Sequence, residues 1–250
     1  MNRKITIIAG IILLILAIII QLFSPKGMKL QEGFSTPIIA FEFVRTPEQV
    51  YSLFGLEIKP HQPVERCDEF PSRSQYWITA MDAINQLDAP FMLIYSGFIA
   101  FLAAFRFGKQ KRRLLYAVLG LAATAFVFDL LENIALLSIA DALKYCKNWS
   151  PIHNEPEQIR SWLQTLVIAT HVKWAAIPLS FALMQWAEEP SGFRKWARRV
   201  NTALAVSALI AWVIAIPFPG IANEILGATV SLCFLLGFIE AVAPSRNARS

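Results

Sequence analysis

The sequence predicts an all-α fold: a polytopic transmembrane helix bundle of about six spans, with both termini in the cytoplasm and one longer extracytoplasmic segment. Three observations predict it. Hydrophobic residues make up 56% of the 250 and charged residues only 16%, whereas soluble domains carry about 25% charged residues. The apolar residues fall into blocks close to the ~20 residues that cross a ~30 Å hydrocarbon layer. Lysine and arginine crowd into alternate connections between those blocks.

The first block, Ile5–Phe23, follows Arg3 and Lys4. It is longer than the ~7–15 apolar residues of a signal peptide. It also ends Gln21-Leu22-Phe23-Ser24-Pro25-Lys26, without a small-residue cleavage site. Residues 1–23 are therefore expected to be an uncleaved anchor. A polar segment, 24–80, should set it apart from a five-helix bundle over 81–243, with 244–250 as a cytoplasmic tail.

Within 24–80, the run from Ile38 to Val44 reads as a strand or a buried turn. Thr46-Pro47-Glu48-Gln49 reads as a helix start, with Thr46 as N-cap, Pro47 in the first turn and Gln49 as capping-box partner. Gly55 is a natural stop. A short amphipathic helix over 47–54 follows.

The remaining spans are expected at about 84–105, 114–140, 161–186, 200–217 and 222–243. Trp162 and Trp186 frame the fourth, about 36 Å apart along a helix and suited to the two headgroup levels. Pro217-Phe218-Pro219-Gly220 is the sharpest breaker.

The basic residues set the expected orientation. Arg3 and Lys4, then Arg106 to Arg113, then Arg194, Lys195, Arg198 and Arg199, then Arg246 and Arg249 fall in short alternate segments. The intervening segments are longer and carry basic residues more sparsely. The positive-inside rule places the first set in the cytoplasm, for a bacterial protein at the inner membrane. In the 187–200 connection, Phe193, Trp196, Ala197 and Val200 share one helical face and the basic residues the other. This reads as an interfacial helix on an anionic leaflet.

The net charge of +5 is explained by those connections, so nucleic acid is not an expected partner. The expected partner is the lipid bilayer. The 24–80 segment is the surface to which a protein partner would bind. Cys67 and Cys146 both fall in segments read as extracytoplasmic, where an oxidising compartment favours a disulfide between them.

Chemistry concentrates inside the membrane. Asp129, Glu132 and Asn133 in the third span are spaced i, i+3, i+4 and share one face. A carboxylate at the centre of a span costs about 2.5–3.5 kcal/mol, so that face needs a partner. The fourth span offers Lys173, with Thr170 and Trp174 on its face and His171 beside it. Lys173 is expected to pair with Asp129 or Glu132. Pro178 cannot donate to the carbonyl of Trp174, so a bend is expected there. Asp88 enters from the second span, with Asp82 and Asn85 nearer the interface. Asn223 and Glu224 open the sixth.

Ligand or ion-binding candidates are therefore Asp129, Glu132, Asn133, His171, Lys173 and Asp88. No metal or cofactor is expected: His-Glu-x-x-His, paired histidines, Cys-x-x-Cys, a phosphate-binding loop, a dinucleotide fingerprint and a serine nucleophile elbow are all lacking. Three functions are compatible with the cluster. It could bind or move a proton, ion or small polar solute. It could be packing glue in a structural or accessory subunit. It could serve an enzyme acting on a lipid-like substrate, with Glu132 or His171 as acid–base residue, although no nucleophile accompanies it.

Three stretches carry a resemblance: Phe41-Glu42-Phe43-Val44-Arg45-Thr46-Pro47-Glu48, then Asp88, then Asp129-Leu130-Leu131-Glu132-Asn133. They resemble a group of uncharacterised bacterial integral membrane proteins with an outer Phe-Glu-x-x-Arg-x-Pro-Glu segment and an intramembrane Asp-x-x-Glu-Asn motif. His171-Val172-Lys173-Trp174 looks like a fourth element. The resemblance spans roughly residues 36–186 and implies no activity.

Overall fold

The computed structural model describes residues 3–56, 72–108, 111–145, 157–187 and 192–244. Eight α-helices occur among them. They are α1 (Arg3–Phe23), α2 (Pro37–Glu42), α3 (Pro47–Leu53), α4 (Ser72–Phe107), α5 (Arg112–Tyr145), α6 (Glu157–Leu183), α7 (Phe193–Ala215) and α8 (Ile221–Val242), with a 3-10 turn at Met184–Trp186. Six helices are long and apolar enough to cross a membrane: α1 and α4 to α8. Their outward faces carry isoleucine, leucine and valine, such as Ile8, Ile15 and Ile18 on α1 and Ile210 and Val213 on α7. An apolar surface this extensive marks a membrane protein.

The two ends of the described chain meet at one end of the bundle. The Arg3 guanidinium donates to the carbonyls of Ala241 and Ala243 at 2.6 and 2.8 Å. Helix α1 packs against α4 and α8 instead of standing apart from the bundle. The contact is close because Gly10 has no side chain. A Cβ there would lie 2.4 Å from the Phe238 ring.

Helices α4 and α5 are longer than a bilayer requires. Their 36 and 34 residues reach about 54 and 51 Å at ~1.5 Å per residue. The extra turns support a second hydrophobic core. Phe41, Val50, Leu53 and Phe54 from the α2–α3 region pack there on Trp77, Ile78 and Met81 of α4, Ile139 and Leu143 of α5, and Ile159 and Leu163 of α6. The first core lies further along α4, α5 and α6 and takes in α7 and α8, around Phe98, Leu102, Ala122, Phe181, Ala208 and Val230.

The start of α3 follows the capping rule. Gln49 N donates to Thr46 Oγ1 at 3.4 Å, and Thr46 N donates to Gln49 Oε1 at 3.3 Å. The run from Ile38 to Val44 is largely helical, not a strand. Thr36 stands at the N-cap and Pro37 in the first turn of α2, and Pro suits that position because its amide would be unbonded there anyway. Helix α4 begins at Ser72, a dozen residues before the span expected at 84.

A second correction concerns residues 187–200. The sequence suggested a separate interfacial helix, but Phe193 to Val200 are the first turns of α7 itself. Its basic face is not all turned to headgroups: Arg198 is buried.

One backbone contact ties the segment before α2 to the α7–α8 turn. Gly33 (φ +83°) and Gly220 (φ +116°) approach so closely that a Cβ on Gly33 would lie 2.9 Å from the Ile221 nitrogen. Both glycines are required, for positive φ and for contact.

Candidate functional site

The two cores are separated by a polar layer. On α4, Asp88 lies between Ile84 of one core and Met92 of the other. On α5, Asp129, Glu132 and Asn133 lie between Ala125 and Ala135. On α6, Lys173 lies between Leu166 and Ala176, and on the α2 side Glu42 lies between Phe41 and Phe43. Four elements thus deliver their charged or amide side chains to one level.

Lys173 is the centre of that layer. Its ammonium donates to Glu132 Oε1, lies 3.1 Å from Asp129 Oδ1 and 3.4 Å from Glu42 Oε1. The four side chains are nearly or fully buried, from 2 to 12% exposed. The lysine also lies 5.2 Å from the Trp174 ring centroid, within cation–π range.

Supporting groups fix the carboxylates. Tyr95 donates its hydroxyl to Asp129 Oδ2 at 2.8 Å. Trp174 donates its indole N–H to Glu42 Oε2 at 2.8 Å. Thr170 donates to the Glu42 carbonyl at 3.1 Å. Asn133 donates to Asp88 Oδ2 at 3.0 Å, which links Asp88 to the layer.

Two features give the layer chemical capacity. One ammonium faces three carboxyls, so full ionisation would leave an excess of negative charge in a place poorly reached by water. Two buried acceptors, Glu132 Oε2 and Asn133 Oδ1, have no hydrogen-bond partner among the described residues. The layer is rich in acceptors and poor in donors. Among the described residues, no three His, Cys, Asp or Glu side chains converge so as to hold a metal ion.

Of the six residues singled out from the sequence, five are brought together: Asp129, Glu132, Asn133, Lys173 and Asp88. Lys173 engages both Asp129 and Glu132, where the sequence offered them as alternatives. His171 does not join them. Its ring packs edge-on to Phe43 at 5.7 Å between centroids, its carbonyl accepts from the Trp212 indole at 2.9 Å, and its Nδ1 has no partner among the described residues. Among the described residues no hydrogen bond links its ring to the carboxylates. Cys67 and Cys146, the pair expected to form a disulfide, lie outside the described residues.

Other residues sit apart from the layer. Asp82 pairs with Lys144 at 3.0 Å. Glu224 accepts from the backbone amides of Ser35 and Thr36 at 2.9 and 2.8 Å. It thereby anchors, from α8, the two residues that lead into α2, and it also accepts from the Thr36 hydroxyl at 2.8 Å.

The sequence reading missed Glu42 and Tyr95 as site residues. Glu42 had a visible signal: it is the one charged side chain in the apolar run from Ile38 to Val44. Tyr95 had none beyond its place in a span. A second buried ionic group was missed as well. Glu240 of α8 accepts from Arg106 of α4 at 2.5 Å and from Arg198 of α7 at 2.7 Å. It lies at the end of the bundle where the chain ends meet. Its signal was a carboxyl near the far end of the last apolar block, sixteen residues beyond Glu224.

Comparison of the chain with protein-family models, with curated proteins and with solved structures gave no match.

Proposed function

We propose that this multispan membrane protein binds and exchanges a proton, or a small cationic solute, at the layer around Lys173. The observation that carries the reading is the imbalance: three carboxyls converge on one buried ammonium, and two buried acceptor oxygens beside them lack donors. Ionisable groups inside a membrane are functional by default. A donor-poor site favours a ligand that brings hydrogen-bond donors or positive charge.

In this reading Glu132 and Asp129 take up and release the proton or cation. Lys173 balances whichever carboxylate is charged, and Asn133 holds Asp88 to the layer through its amide N–H. Glu42 closes the layer from the α2 side. The end bearing α2 and α3 faces out of the cytoplasm and the end holding both chain ends faces in, as the distribution of lysine and arginine supports. In a bacterium this membrane is the inner one. The segments that carry the resemblance to the uncharacterised bacterial group contribute Glu42, Asp88, Asp129, Glu132, Asn133 and Lys173, which supports reading those motifs as one unit.

Packing glue is the competing reading, and one observation favours it. The Lys173 contacts join α5, α6 and α2, so they hold helices together whatever else they do. Proteoliposomes separate the two. A proton gradient is imposed and its decay followed with an enclosed pH-sensitive dye, for wild type, Glu132→Gln and protein-free vesicles. Exchange coupled to transport gives faster decay for wild type alone, with Glu132→Gln folded but inactive. Decay identical in all three, with only stability altered by the variant, supports packing.

A further inference from the structure

The Lys173 layer is joined to one end of the bundle by polar side chains and separated from the other by apolar ones. Toward the end where the two chain ends meet, no charged side chain lies on α4 between Asp88 and Arg106, on α5 between Arg113 and Asp129, on α6 beyond Lys173, on α7 beyond Arg199, or on α8 between Glu224 and Glu240. From Asp88 to Arg106 is about 27 Å of helix at ~1.5 Å per residue. Aromatic rings fill the first part of that interval. The Phe234 ring of α8 lies 6.0 Å from Tyr95 and 6.0 Å from Phe98 of α4, and 5.1 Å from Phe181 of α6. One turn further along α8, a Cβ on Gly237 would lie 2.8 Å from Leu102 Cδ2. Past Tyr95 this stretch offers a proton no carboxylate, imidazole or amine as carrier.

In the opposite direction, polar groups continue along α4. Asp88 is partly exposed, and Ala89 and Pro90 beside it are exposed. Asn133, 4% exposed, donates to Asp88 through Nδ2 at 3.0 Å, and its Oδ1 has no partner among the described residues. One turn before Asp88, Asn85 is also 4% exposed, and its Nδ2 is likewise without a partner among the described residues. Pro90 lies inside α4 and has no N–H, so the Gln86 carbonyl loses its helical donor. One turn before Asn85, Asp82 accepts from Gln86 at 3.2 Å and from Lys144 at 3.0 Å. Only about 9 Å of helix separates Asp82 from Asp88. The charged groups that act on Asp88 from other elements are Asp129 of α5, Lys173 of α6 and Glu42 of α2.

We propose that Asp88 is the entry carboxyl of the layer: protons exchanged at Asp129 and Glu132 reach them from the α2–α3 end of the bundle through Asp88. The proposal rests on the reading of the layer as a proton-exchanging site. In each passage the Asp88 carboxylate takes a proton from water at that end and passes it to the Asp129 or Glu132 carboxylate. One O–H bond forms as another breaks, and Asp88 returns to its ionised form. Water carries the proton across, bonded to the unpaired oxygens of Asn133 and Glu132, both of them acceptors. Asn133 does not titrate; it holds Asp88 in position. Asp88 thus acts as a positioned acid–base group of the ordinary kind.

The test is time-resolved infrared spectroscopy of the full chain in detergent after a flash releases protons from a caged acid. The signal followed is the part of the protonated-carboxyl band that Glu132→Gln abolishes. In Asp88→Asn, which keeps the shape and an acceptor for Asn133, that signal should rise at least about tenfold more slowly than in wild type and reach the same final amplitude. Asp88→Glu should restore the rate. Glu48→Gln, at an exposed position on α3, should leave it unchanged. Asn85→Leu leaves every carboxyl in place and carries the same expectation of slowing where Asp88→Asn does not fold. An equal rate in wild type and Asp88→Asn overturns the entry role and leaves the reading of the layer standing. Slowing that Asp88→Glu does not reverse overturns it too, since it assigns Asp88 to packing. A wild-type band that never responds to the released protons removes the reading of the layer, and the entry role with it.

Discussion

Glu42 and Lys173 lie 3.4 Å apart, although one ends a six-residue helix before the second membrane-crossing helix and the other is at the middle of α6. The contact is possible because α2 is held at both ends. Glu224 of α8 binds the amides of Ser35 and Thr36 at its start, and Trp174 binds the Glu42 carboxylate at its finish. The segment between the first two membrane-crossing helices is therefore part of the site.

Removing the cation should harm the protein more than removing one acid. Lys173→Met leaves buried carboxylates uncompensated and is expected to cost about 3–5 kcal/mol. Glu132→Gln keeps the shape and a polar group, and should cost less. The double variant should be more stable than the sum of the singles predicts, by a coupling of ~0.5–3 kcal/mol. Unfolding in mixed detergent micelles measures all three, and additivity would mean that the two side chains do not interact.

The strap formed by α2 should loosen when its anchor is cut. Glu224→Ala removes the acceptor of two amides and of the Thr36 hydroxyl, a loss comparable to that of a helix cap, about 0.5–2 kcal/mol. Hydrogen exchange should then speed up over residues 35–43 while α5 is unchanged. Unaltered exchange in that segment would mean that α2 is held by its apolar contacts alone.

The Glu240 group should behave as one unit. Glu240→Leu strands two buried arginines and is expected to cost about 3–5 kcal/mol. Arg106→Met in the same chain should recover part of that loss, because one uncompensated charge is gone. Thermal unfolding of the two variants and their combination checks this, and no recovery would mean that Arg106 and Glu240 are not paired in the membrane.

Much of this architecture was legible in the sequence because lipid imposes simple rules. A block of about 20 apolar residues has few fates, and a carboxylate within it must find a partner. Hence the six membrane-length helices, and the pairing of Lys173 with the Asp129–Glu132 face, followed from composition and spacing. What failed to show was everything set by long-range packing. Glu42 reaches the site only because α2 folds back against α6 and α8. Arg198 looked like a headgroup contact because its partner, Glu240, is 42 residues away. His171 has a favourable address in sequence, but the helical turn directs it to Phe43. The short run from Ile38 to Val44 was ambiguous for another reason: a seven-residue, mostly apolar run lacks the length to separate strand from helix.

The central claim is that the carboxyls around Lys173 exchange protons with the outside of the protein. Infrared spectroscopy of reconstituted wild type and Glu132→Gln across a pH series tests it most directly, through the carbonyl band of protonated buried carboxyls. The account predicts a band that appears and disappears reversibly with pH in wild type and is altered or lost in Glu132→Gln. A spectrum unchanged over the whole series, and indistinguishable between the two proteins in that region, would contradict it and leave the layer as sealed packing.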